Sequence, residues 1–245
     1  MPSLAKIYIA LIAAVAIAAL TVAAYQWKPE NLGRFFLFFS LAMVASAMKI
    51  RLPGLKTTIS LNFVFILIGI ALFSFGETVL IGLGGALVQS LWRPLQRPKP
   101  VQIFFNGACL TVCTAAAFWA SQSVPAALGL KTPAVMMVLG ACVYVVLNTG
   151  LVSLIISLAE GRSMKQVWPS CYEWTFPYFL VGAAVAGLAS AAGHGATWGV
   201  ALLVAPVMYF VYVYYKMYIL RAVLEGISKV SGESEEVLAG ASQGR

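Results

Sequence analysis

The chain has 245 residues, of which 61% are hydrophobic and 10% are charged, with a formal net charge of +8. A soluble domain carries about 25% charged residues, and it could not bury this much apolar surface in one core. Repeated apolar runs near 20 residues in length instead predict an all-α polytopic membrane protein.

Eight apolar segments are predicted to cross the membrane as helices. Each approaches the length needed to cross about 30 Å of hydrocarbon. The first segment is longer than the apolar core of a signal peptide, so we expect it to remain uncleaved as a membrane helix. We expect residues 1–218 to form the membrane domain and residues 219–245 a cytoplasmic exit helix with a flexible tail. The eight segments lie near residues 5–25, 35–50, 59–75, 77–92, 101–121, 133–158, 173–192 and 197–218.

Lysine and arginine fall mainly on one side of this arrangement. With the N-terminus inside, only Lys28, Arg34 and Lys131 of the 16 basic residues lie in outer connections. Basic residues concentrate in cytoplasmic loops, which predicts a bacterial inner membrane protein with both termini in the cytoplasm. No nucleic-acid-binding motif accompanies the charge, so we expect these loops to meet the lipid bilayer.

The sequence FSFGET interrupts the apolar character between the third and fourth segments. Gly76 is expected to end the third helix. Glu77 is expected in the first turn of the fourth helix, where a carboxylate stabilises the positive end of the helix dipole. Two interpretations stay open: Glu77 is a solvated helix-start residue, or it contacts a cationic ligand or a proton at the outer face.

Four of the polar side chains within the apolar segments are candidates for a ligand site: Gln89, Asn106, Tyr144 and Asn148. Tyr144 and Asn148 are four residues apart and share one helix face. These groups either hydrogen-bond between helices, or Gln89, Asn106 and Asn148 line one polar cavity between the fourth, fifth and sixth helices. Such a cavity would suit a small neutral or zwitterionic ligand. With Glu77, these four residues are the candidate ligand-binding set.

No catalytic or metal-binding constellation is recognisable in the sequence. Cys109 and Cys113 share a helix face but have no neighbouring histidine or carboxylate. His194 is the only histidine, and without serine, cysteine or acidic partners it forms neither a catalytic triad nor a zinc site. We therefore expect no enzyme activity and no cofactor.

Three stretches resemble a known family: RLPGLKTTISLNFVFILIGIALFSFGETVLIGLGGALVQSLW, RPKPVQIFFN and WPSCYEWTFPYFLVGAAVAGL. They are similar to MASE-type membrane-associated sensor domains of bacteria, across about residues 30–220. In relatives these domains precede HD-GYP phosphodiesterase, GGDEF cyclase or kinase modules. The resemblance implies an integral membrane sensor that relays a signal to a cytoplasmic partner, here without an output domain.

A second resemblance implies transport. Ala14 and Ala18 form a small-residue face on the first helix, as in the substrate-binding S components of energy-coupling-factor transporters. The eight spans predicted for this chain differ from the six that are usual in that family. The alternative hypothesis is therefore a small-solute transporter, or a transporter subunit with a cytoplasmic coupling protein as its partner.

The topology predicts the compartment of two reporter fusions. Alkaline phosphatase fused after Glu77 should be active, because this turn is expected outside, and a fusion after Gln96 should be inactive. Fluorescent-protein fusions at the same positions should give the opposite pattern. A shared compartment for the two positions would contradict the predicted crossing between them.

Overall fold

The apolar segments of the chain form a bundle of helices. The computed structural model describes residues 1–29, 31–51, 58–94, 97–127, 129, 132–169, 183–184, 187, 206–207, 209–221 and 224. The expected seventh segment lies almost entirely outside the described residues, and so do residues 225–245. The helices are α1 (Ser3–Tyr25), α2 (Leu32–Ala47), α3 (Asn62–Leu72), α4 (Phe75–Leu91), α5 (Pro100–Ala127) and α6 (Pro133–Glu160).

Three helices of the described part are long and apolar enough to cross a membrane. They are α1 with 23 residues, α5 with 28, and residues 135–160 of α6 with 26. At 1.5 Å per residue each is about 35 Å long or more, which exceeds a hydrocarbon core of about 30 Å. The exposed face of α1 is apolar and includes Leu4, Ile7 and Leu11, as lipid contact requires. The chain thus has the helical class expected from its composition.

Helix α3 differs from the expected span over residues 59–75. It has 11 residues and is about 17 Å long, too short to cross a bilayer alone. Every residue from Asn62 to Ile70 is buried, and the helix packs against α2, α4, α5 and α6. Because other helices enclose α3, its length is not set by the thickness of the lipid.

Two short strands precede α3, where the sequence predicted the end of a helix and a loop. Helix α2 ends at Ala47, and β1 (Lys49–Arg51) pairs antiparallel with β2 (Thr58–Ser60). The pairing satisfies backbone groups as the chain reverses direction. The Lys49 ammonium donates to the carbonyl of Trp92, which follows α4, and so joins the strand pair to the end of that helix.

Glycines on α4 allow three neighbouring helices to approach it closely. A methyl group on Gly82 would overlap Thr114 of α5, and one on Gly84 would lie 3.0 Å from Phe39 of α2. A methyl group on Gly85 would overlap the Asn62 amide of α3. Small residues at such positions permit close helix contact within membranes. The sequence GLGG therefore places α4 against α2, α3 and α5 on different faces.

A further helix covers residues 209–221, beyond the expected end of the eighth segment at residue 218. Tyr215 and Ile219 are buried in the main hydrophobic core. Phe210 and Tyr214 on the same helix are exposed. The boundary expected between the membrane domain and the exit helix thus falls inside one continuous helix.

Replacing Gly85 with alanine should destabilise the bundle, because the Asn62 amide occupies the space of the new methyl group. Overpacking of this kind costs about 1–3 kcal/mol. Gly107→Ala is the matched control, since its methyl group would lie 3.4 Å from the flexible Leu83 side chain. Alanine is the better helix former by about 0.5–1 kcal/mol, so the control should be neutral or stabilised. Thermal unfolding in detergent measures both, and equal shifts would contradict the packing described.

Candidate ligand-binding site

The turn between α3 and α4 is built as a capping box. The Ser74 backbone N–H donates to Glu77 Oε2 at 2.9 Å, and the Ser74 hydroxyl donates to the same oxygen at 2.7 Å. The Glu77 N–H donates to Ser74 Oγ at 3.4 Å. The sequence Ser-Phe-Gly-Glu is the signal for this arrangement, in which the serine caps the helix and the glutamate reaches back to it.

Gly76 begins α4 and does not end α3, so its expected role as the end of the third helix is wrong. Helix α3 ends at Leu72, and Gly76 is the second residue of α4. A methyl group on Gly76 would lie 2.8 Å from the Ala23 carbonyl oxygen and 2.9 Å from the Trp27 ring. The glycine is needed because the end of α1 lies directly against the first turn of α4.

The Glu77 side chain is 2% exposed, so the interpretation as a solvated helix-start residue is wrong. The interactions with Ser74 satisfy Oε2, whereas Oε1 is buried without a hydrogen-bond partner. A buried polar atom left without a partner costs about 1–3 kcal/mol, and more when the group is charged. Oε1 therefore marks a place where a donor or a cation would be stabilised.

Helical geometry shows which neighbour Glu77 faces. Gly84 lies seven residues, or two turns, after Glu77 on the same face of α4, and it contacts Phe39 and Met43 of α2. Glu77 is two turns closer to the start of α4 and shares this face, which is the side of α4 that packs on α2. Arg34 lies in the first turn of α2.

Arg34 is partly buried, and its Nε atom is buried without a hydrogen-bond partner. Its guanidinium carbon lies 5.2 Å from the centroid of the Phe73 ring, within range of a cation–π interaction. Phe73 immediately precedes the Ser74 cap, so Arg34 lies against the turn whose cap holds Glu77. From the sequence, Arg34 is expected only as a basic residue of an outer connection. An arginine in a first helical turn, at the same expected membrane face as Glu77, is the signal that could have identified it.

Aromatic rings surround this end of the bundle. The Phe35 ring lies 5.8 Å from Trp27 and 6.2 Å from Phe73, both in edge-to-face geometry. Phe38 lies 5.5 Å from Phe73. The rings form an apolar wall beside Arg34 and Glu77, where electrostatic interactions are stronger than in water.

Gln89 and Asn106 lie near the opposite end of α4. Gln89 is twelve residues after Glu77, about 18 Å along the helix. Gln89 Oε1 accepts a hydrogen bond from Ser60 of β2 at 3.2 Å. The Asn106 amide of α5 donates to Ser90 of α4 at 3.2 Å, so for Asn106 the interpretation as an interhelical hydrogen bond is the one observed.

Tyr144 and Asn148 lie on α6. Tyr144 is buried, and its ring centroid lies 5.1 Å from that of Phe63 on α3. Asn148, one turn later, is partly exposed. Helices α4 and α6 pack chiefly on α3 and α5 rather than on each other, and Asn106 is exposed. Helices α3 and α5 thus lie between α4 and α6, and the arrangement of Gln89, Asn106 and Asn148 around one enclosed cavity stays a prediction.

Asn62 is a buried polar residue that was not among the five candidates. It is 1% exposed, its amide nitrogen donates to the Ile81 carbonyl at 3.5 Å, and its Oδ1 atom has no partner. An amide at the first position of an apolar helix, just after a turn, is the signal in the sequence. Asn62 is a second place inside the bundle where a polar group would be accommodated.

Comparison with known proteins gives no family for the chain. No family model, curated protein or solved structure matches it. Within the described ranges, no group of three histidine, cysteine or acidic residues lies close enough to hold a metal ion. The resemblance to MASE-type domains stays a prediction.

Replacing Ser74 with alanine should destabilise the start of α4, because it removes both hydroxyl interactions with Glu77. Loss of an N-cap costs about 0.5–2 kcal/mol, and we expect the upper end because the carboxylate is buried. Thr132→Ala is the matched control, since Thr132 caps α6 through one exposed 3.4 Å hydrogen bond. Thermal unfolding should show the larger loss for Ser74→Ala, and a larger loss for the control would contradict the role assigned to the buried cap.

Proposed function

We propose that this protein is an integral membrane sensor, which binds a small ligand and relays its presence to a cytoplasmic partner without a catalytic step of its own. The Glu77 carboxylate carries the proposal. It is buried in the bundle with one oxygen that lacks a partner. Polar groups in a membrane interior are costly and mark sites of ligand or ion binding.

The proposed topology has eight crossing segments and both termini in the cytoplasm of a bacterium. The distribution of basic residues supports this orientation. Helix α3 counts as a crossing segment although it is short, because other helices and not lipid surround it. The turn that carries Glu77 then faces the periplasm, where an external ligand could reach it.

The helix over residues 209–221 is the proposed route of the relay. Tyr215 and Ile219 attach it to the main core, so a rearrangement of the bundle would move it. Leu224, three residues after Arg221 and beyond the expected end of the membrane domain at residue 218, is exposed. Exposed apolar side chains beyond the end of the membrane domain are available to a protein partner.

Transport of a small solute is the second candidate, and one observation favours it. Besides Glu77 Oε1, further buried polar atoms in the bundle lack hydrogen-bond partners. They belong to side chains on three different helices, and they could contact a solute on its way across. They are Asn62 Oδ1, Thr111 Oγ1, Thr114 Oγ1 and Ser153 Oγ.

Photo-cross-linking in cells tests the proposed relay. A benzophenone amino acid placed at Leu224 should give an adduct with a cytoplasmic signalling protein. The same amino acid at Leu4, which is exposed on α1, is the control and should give no protein adduct. An adduct with a pair of nucleotide-hydrolysing subunits at Leu224 would favour transport. The absence of any protein adduct at Leu224 would contradict the relay.

A further inference from the structure

Two buried polar atoms of opposite charge lack partners at the same end of the bundle. Glu77 Oε1 and Arg34 Nε are both buried without a hydrogen bond. The described residues contain no ion pair between these two side chains. A buried polar atom without a hydrogen bond is costly, and more so when it belongs to a charged group. Each of the two side chains therefore lacks a hydrogen-bond partner for one buried atom.

The structure holds both side chains in place. The Arg34 backbone N–H donates to the Asn31 side chain at 3.0 Å, which fixes the start of α2, and the guanidinium lies against the Phe73 ring. Glu77 is held by its two bonds from Ser74. Neither residue must reorganise its backbone before a ligand binds, and such preorganisation favours affinity.

Glu77 and Arg34 differ in the chemical group that each can bind. Glu77 Oε1 can accept hydrogen bonds from an ammonium group, and its second oxygen is already satisfied. The Arg34 guanidinium can bind a carboxylate through more than one N–H. A cation alone would leave Arg34 unsatisfied, and an anion alone would leave Glu77 unsatisfied. A molecule that carries both charges satisfies both residues.

We propose that Arg34 and Glu77 form the two poles of a binding site for a free L-α-amino acid. The ammonium group binds Glu77, the carboxylate binds Arg34, and the side chain packs on the aromatic wall of Trp27, Phe35 and Phe73. This inference names the ligand class of the proposed sensor and thus rests on that function. Both residues lie at the end of the bundle that is expected to face the periplasm.

Binding measurements with modified amino acids test the need for both charges. The probes are the proteinogenic L-α-amino acids, each measured singly with the protein in lipid nanodiscs, beside its N-acetyl derivative and its methyl ester. At least one free amino acid should bind, and each derivative should bind at least tenfold more weakly, because each lacks one charge. Absence of binding by every free amino acid, or equal binding by the derivatives, would overturn the proposal.

Two substitutions assign the charges to the two residues. In Glu77→Gln the preference for the free amino acid over its N-acetyl derivative should disappear. In Arg34→Gln the preference over the methyl ester should disappear. Glu160→Gln and Arg162→Gln are the matched controls, since these residues form an ion pair with side chains 45% and 46% exposed, and both should retain the two preferences. Retention of both preferences in the Glu77 and Arg34 variants would overturn the proposal.

The failure of this inference can be separated from the failure of the proposed function. Native mass spectrometry of the protein extracted with its lipids identifies any small molecule that remains bound. A bound molecule that is not an amino acid, together with a signalling partner cross-linked at Leu224, would overturn the amino-acid site alone. Amino-acid binding that depends on Arg34 and Glu77, without a partner at Leu224, would support the site and contradict the relay.

Discussion

Enclosure of α3 by other helices is the constraint on which the rest of the structure depends. An 11-residue helix cannot cross a bilayer by itself, so its ends must meet protein rather than lipid. The strand pair closes one end, and the Ser74 cap follows the other. Close approach of α4 through Gly85 completes the enclosure and places the Asn62 amide against that helix.

The same packing explains why polar groups are buried at both ends of α4. At one end, Ser60 binds Gln89 and Asn106 binds Ser90, so these side chains are satisfied within the protein. At the other end the Glu77 carboxylate is satisfied on one oxygen only. The contrast separates polar residues that hold helices together from one whose remaining oxygen is open to another group.

The sequence predicted the long helices well and the short elements poorly. Residues 5–25, 101–121 and 133–158 correspond to α1, α5 and α6, because a long apolar run has few alternatives to a helix. The strand pair was missed because three-residue strands carry no periodic signal. Polar side chains were recognised as positions that need partners, but Ser60 and Ser90 as those partners depend on packing. The burial of Glu77 and the position of Arg34 likewise depend on the contact between α2 and α4, two helices that are far apart in the sequence.

The length of α3 also has a consequence for the biogenesis of the protein. A segment that is too short to span lipid gains little free energy from leaving the translocon alone. In the proposed topology, the two residues between α3 and α4 would allow these helices to enter the bilayer together as one antiparallel hairpin. The strand pair and the enclosing helices can then close around α3 only after the hairpin is inserted, which makes assembly of the centre a late step.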